Sequence, residues 1–143
     1  MEPKEWPVRL HELLRAEGVR LVCHVPDAGH SRLIELCEND NEIDTVTLTT
    51  EEEGVNILGG AYLGGERGVL LVQSSGVGNL INSLAWINTC RIPLVMIVTM
   101  RGEWGEFNPW QVPMGQGTPA CLEAMGMKVL RVDDTEKVVD EVK

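Results

Sequence analysis

Three short runs in which successive residues are apolar constrain this chain most. "VRLVCHVP" (residues 19–26), "GVLLVQSS" (68–75) and "PLVMIVTM" (93–100) each read as a strand with no polar face, and "IDTVTLT" (43–49) reads as a fourth strand. Side chains alternate across a strand, so a run without alternation has to be covered on both sides. Between these runs lie segments with helical spacing. Strands of this kind alternating with helices predict an α/β domain, an open and mostly parallel sheet with helices on both faces. Helices are expected from an amphipathic opening at 7–17, over 31–38 with Ser31 as N-cap, from Thr50 into a glycine-rich stretch, over 77–91 and over 118–126; "KVLRVDD" and "TEKVVDEVK" supply a last strand and helix.

At 143 residues the chain has the length of one domain, taken as 1–143. A formal charge of −10 with only 12 Lys and Arg argues against binding a phosphate backbone, so nucleic acid is not an expected partner. No apolar run is long enough to span a bilayer, and "MEPKEWPVRLHELL" lacks a basic-then-apolar signal region, so a cytoplasmic location is expected. Cys23, Cys37, Cys90 and Cys121 form no CxxC pair and have apolar neighbours, which points to buried, reduced thiols. His11, His24 and His30 make no metal-ligand spacing, and no metal site is expected from this chain alone.

In an open α/β sheet the ligand site lies past the carboxyl ends of the strands. That rule selects residues 26–31, 49–53, 73–79 and 99 onward. The last segment leads into "RGEWGEFNPWQVPMGQGTP" (101–119), a long connection with no evident element, which reads either as a loop folded on its own surface or as an interface or lid. "SSGVGN" (74–79) follows a strand and opens a helix, where backbone N–H groups can hold polar ligand atoms. It lacks the GK[ST] of a phosphate loop and the third glycine of a dinucleotide fingerprint. Nor is it a GxSxG elbow, and no spacing requires the triad that Ser75, His30 and Asp27 could form. In "VPDAGHSRL" (25–33), Asp27 and His30 stand at a strand end, where Asp27 serves either acid/base chemistry or a turn.

"TTEEEGVNILGGAYLGG" (49–65) begins a helix with three adjacent carboxylates. With Thr50 as N-cap, Glu53 completes a capping box, while Glu51 and Glu52 sit where the helix dipole favours negative charge. Capping does not account for Gly59 and Gly60, each costing up to about 1 kcal/mol in a helix interior. Glu52 shares a face with Asn56 and Gly59, which places a carboxylate beside closely approachable backbone.

Taken in order, the acidic helix start, "GAYLGG", the apolar strand, "QSSGVGN" and "RGE" resemble the pyrimidine-binding domain of thiamine-diphosphate enzymes, in particular the sulfopyruvate and phosphonopyruvate decarboxylase group. The resemblance covers residues 19–129. It implies that one glutamate hydrogen-bonds the cofactor's aminopyrimidine. Counting back from Tyr62 selects Glu52, and counting from the Glu-Gly pair selects Glu53. By the same resemblance Gln73, Ser75, Gly76, Gly78 and Asn79 line the cofactor, and Asp27 and His30 serve later protonation steps. The group holds diphosphate and Mg2+ on a GDG…N domain. This chain contains no GDG, so a second, diphosphate-binding subunit is implied, with a homodimer as the alternative when the chain is alone. The implied activity is decarboxylation of a 3-substituted pyruvate. Thr50 and "NPWQVPMGQGTP" depart from the group's basic residues, leaving Arg101 as the clearest cation. The competing readings are a non-catalytic domain of the same fold and a flavodoxin-like nucleotide-binding domain.

Overall fold

A computed structural model describes residues 5–143. Four parallel strands, β1 (Val19–His24), β2 (Asp44–Thr47), β3 (Arg67–Gln73) and β4 (Val95–Thr99), form one sheet in the order β2-β1-β3-β4. The helices are α1 (Trp6–Ala16), α2 (Ser31–Glu38), α3 (Glu51–Leu63), α4 (Ser74–Cys90), α5 (Gln111–Ala124) and α6 (Val138–Val142). The expected absence of a signal region falls partly on residues 1–4, outside the described residues.

β3 shows why its sequence carries no polar alternation. Val69 and Leu71 enter a core with Leu10, Leu14, Leu33 and Ile34 of α1 and α2, while Leu70 and Val72 enter a second core with Val55, Leu58, Leu80 and Leu84 of α3 and α4. All four strand residues are fully buried. Each contributes about 1.5–3 kcal/mol of apolar burial, so neither layer of helices is dispensable. β2, an edge strand, keeps only partial cover.

Several expectations are corrected. The segment 101–119 is irregular only as far as residue 110, and α5 runs through "QVPMGQGTPACLEA" with Pro119 inside it. Residues 127–134 form no strand, because they follow α5 without pairing to the open edge of β4; Arg131 is instead tied to Glu103 and Asp133. Ser31 is the first helical residue rather than the cap, its hydroxyl donating to the Ala28 carbonyl. Cys23 and Cys37 are buried, and burial pushes both thiols up to about 11, whereas Cys90 is exposed and Cys121 partly so. All four cysteines are unpaired.

The order of strands places a crossover point between β1 and β3. The chain leaves β1 for β2 on one side and leaves β3 for β4 on the other, which opens a crevice at their carboxyl ends. Asp27 follows β1 and Gln73 ends β3, so both stand at that crevice.

Candidate functional site

The first turn of α3 sends its three carboxylates in different directions. Glu51 belongs to the buried stripe Glu51, Gly54, Val55, Leu58 and Gly59, the i, i+3, i+4, i+7, i+8 pattern of a helix face against a core. Gly54 presses this face onto the sheet, since a Cβ there would strike Leu70 and Leu48 side chains at 2.6 and 2.7 Å. Glu51, one turn earlier on the same face, is therefore carried inward and is only 8% exposed.

Its carboxylate lands on the start of α4. Asn79 Nδ2 donates to Glu51 Oε2 at 2.8 Å, and a Cβ at Gly76 would fall on Glu51 Oε1. Glycine at 76 is thus a requirement of the carboxylate's position. Glu53 turns back instead, accepting from the Thr49 N–H at 2.9 Å and the Thr49 hydroxyl at 2.8 Å. The Thr49 N–H bond above all holds the Glu53 carboxyl below its ordinary value. Thr50 is the N-cap but makes no side-chain cap bond. Glu52, the glutamate expected at the cofactor, has its side chain exposed, while Glu51 is the glutamate brought to Gly76 and Asn79. The reason is helical phase, because adjacent residues differ by about 100° and the buried stripe begins one position earlier.

A second set of side chains bridges the crevice. Asp27 Oδ1 accepts from Gln73 Nε2 at 2.9 Å and Oδ2 accepts from the Thr99 hydroxyl at 2.6 Å. Ser75 donates to Gln73 Oε1 at 2.6 Å, so the amide of Gln73 connects the start of α4 to Asp27. His30 Nδ1 lies 3.2 Å from Asp27 Oδ2, within ion-pair reach but outside hydrogen-bond alignment, and the His30 ring is buried. Burial pushes the Asp27 carboxyl up, yet His30, Thr99, Gln73 and the Gly29 N–H together outweigh it and hold the group well below the usual carboxylate range. The ionised form of Asp27 is therefore favoured in the folded chain.

Asp27 also lines a cavity of about 480 Å³ with His24, Ser31, Ile34 and Thr47. Burial, more than its neighbours, lowers the pKa of His24 in that wall. Arg101 follows β4, and Glu106 Oε2 and Oε1 accept from its Nε and Nη2, each at 2.7 Å. Its guanidinium also lies 5.7 Å from the Phe107 ring centre. These bonds hold the Glu106 carboxyl down to about 2. The one cation singled out in the sequence is thus already paired.

The structure brings together Glu51, Gly76 and Asn79 in one group and Asp27, His30, Gln73 and Ser75 in another; Gly78 lies exposed on α4 between Gly76 and Asn79. Sequence reasoning placed Glu51 and Thr99 in segments at strand ends but assigned neither of them a contact. The stripe at 51, 54, 55, 58 and 59 was the available signal for the first, and the position of Thr99 at a strand's carboxyl end for the second. Among the described residues no cluster of three or more His, Cys, Asp or Glu is placed to hold a metal, and no helix is long and apolar enough to cross a membrane.

Comparison with known proteins identifies the family. Residues 9–116 match the family "thiamine pyrophosphate enzyme, N-terminal TPP binding domain". The chain is 39% identical over 129 residues to the sulfopyruvate decarboxylase of Methanosarcina acetivorans, covering 89% of this chain and 33% of that protein. It is 33% identical over 135 residues to the sulfopyruvate decarboxylase subunit alpha of Methanocaldococcus jannaschii, covering 94% and 80%. To the phosphonopyruvate decarboxylase of Streptomyces viridochromogenes it is 36% identical over 120 residues, covering 82% and 30%. The chain therefore spans about a third of the first of these proteins and about four fifths of the second. A solved structure of a thiamin diphosphate-dependent enzyme from Mycobacterium smegmatis superposes on 69% of this chain and 19% of its own, with a TM-score of 0.60 and 19% identity, a likeness of fold.

Proposed function

From the premise that this chain belongs to the thiamine pyrophosphate enzymes, as their N-terminal TPP binding domain, we propose that it is the pyrimidine-binding subunit of a thiamine-diphosphate-dependent decarboxylase. The substrate is a 3-substituted pyruvate, sulfopyruvate- or phosphonopyruvate-like, as the names of its relatives indicate. A separate subunit with a GDG…N motif supplies the diphosphate and Mg2+ contacts, and the complex works in the cytoplasm.

The observation that carries this reading is the Glu51 carboxyl seated against Gly76 and Asn79. An aminopyrimidine needs a carboxyl at its ring nitrogen and an approach free of side chains. Gly76 has no Cβ to obstruct the carboxyl, and the exposed Gly78 leaves the start of α4 open. In this reading Glu51 takes the role that the spacing to Tyr62 assigned to Glu52. Asn79 holds Oε2 as an acceptor, which leaves Oε1 as the oxygen able to carry and pass a proton. Ser75 and Gln73 orient the floor of the crevice, and Asp27 presents a fixed negative charge there, with His30 packed behind it. When bound, the cofactor supplies the electron sink for the pair left as carbon dioxide departs.

Glu51→Gln and Glu52→Gln in the co-expressed complex test the assignment. Glu51→Gln should lower kcat by at least about 100-fold, the scale of a lost proton-transfer group, with the complex still assembled. Glu52→Gln should stay within a few-fold of the parent. Near-normal turnover in Glu51→Gln sinks the role given to Glu51.

A further inference from the structure

Three of the chain's six aromatic residues lie within seven positions on the segment after β4, and none of the three is used in a core. Trp104 is fully exposed, Phe107 is 89% exposed and Trp110 is 78% exposed. Single exposed apolar residues are ordinary, but clustered aromatics on a protein surface mark contact sites.

The segment that carries them is held firmly. Glu106 accepts from the Arg101 guanidinium through both oxygens, from the Gly102 N–H at 3.0 Å and from the Asn108 N–H at 2.9 Å. Arg131 grips Glu103 at 2.8 and 3.2 Å. Gly102 turns with φ +76°, and Gly115 of α5 packs so closely that a Cβ would fall on the Arg101 carbonyl. The aromatic side chains are therefore displayed on a pre-ordered platform, which lowers the ordering cost of binding. Arg101 is paired with Glu106, and Arg131 with Glu103 and Asp133, so both cations are satisfied within the chain and the exposed aromatics offer an apolar contact.

The platform is continuous with the proposed site. The Arg101 N–H donates to Ser74 Oγ at 2.8 Å, and the Met114 side chain lies 3.7 Å from where a Cβ on Gly78 would be. The segment that carries the aromatics is thus packed on the start of α4, next to Gly78 and Asn79. We infer that Trp104, Phe107 and Trp110 form the docking surface for the diphosphate-binding subunit, seating in an apolar patch on it. This rests on the proposed function for the identity of the partner.

The test is a binding measurement, separate from turnover, with a GDG-containing subunit from the same genome as the probe. Titrating it into the wild-type chain should blue-shift tryptophan emission, and Trp104→Ala with Trp110→Ala should weaken binding at least tenfold. The Tm of the isolated chain should not move, since the removed atoms are in solvent. An absent emission shift, or unchanged affinity in the double variant, overturns the inference. So does a change confined to KM, which would make the aromatics a substrate wall, or one confined to self-association, which would make the occupant a second copy. A complex that needs the tryptophans but decarboxylates nothing sinks the enzyme reading alone.

Discussion

Asp27 is the residue whose surroundings most restrict its chemistry. Three hydrogen-bond donors converge on a buried carboxylate, so the ionised form is favoured in the folded chain and its pKa lies below the unfolded value of about 3.9. A depressed carboxylate stabilises the fold above its unfolded pKa, and that contribution is lost as pH falls below about 4 toward the folded value. Asp27→Asn should accordingly lower Tm at neutral pH and flatten its decline between pH 5 and pH 3, read by thermal unfolding at stepped pH. A parallel decline in variant and parent would contradict the environment described for Asp27. The sequence placed this residue and its donors at strand ends, but not their pairing. Gln73 and Thr99 are 46 and 72 positions away and come to Asp27 only through strand order.

At the scale of elements, glycines that look alike in sequence separate by what faces them. A Cβ on Gly59 would collide with the Trp86 ring, whose Nε1 is held by Asn56 Oδ1 at 2.9 Å, while a Cβ on Gly60 would meet nothing within 4 Å. Gly59→Ala should therefore cost about 1–3 kcal/mol through overpacking. Gly60→Ala should stabilise by about 0.5–1 kcal/mol through helix propensity. Urea midpoints at constant m decide the matter, and equal effects at the two positions would refute the packing of α3 on α4. The same distinction explains why α5 was illegible. Pro113, Gly115, Gly117 and Pro119 read as loop, yet Gly115 is needed for contact with Arg101, and the Thr118 hydroxyl donates to Met114 at 2.7 Å and Ser74 at 3.2 Å. Tertiary contact overrode local propensity there.

For the whole molecule, the proposed half-site has consequences that concern assembly. Calorimetry with thiamine diphosphate and Mg2+ should give no measurable heat with this chain alone and micromolar binding once the diphosphate-binding subunit is added; tight binding by the isolated chain would rule out a divided site. The fold class was determined by the sequence itself, because strands without a polar face leave no arrangement but a sheet covered on both sides. The ordered motifs likewise determined the family. Which glutamate packs against Gly76 and Asn79 was decided only by tertiary structure. Three adjacent carboxylates differ in sequence by nothing but position, and on a helix each step rotates the side chain by about 100°. The packing of Gly54 on the sheet sets that rotation, and the missing Cβ of Gly76 opens the space into which Glu51 turns.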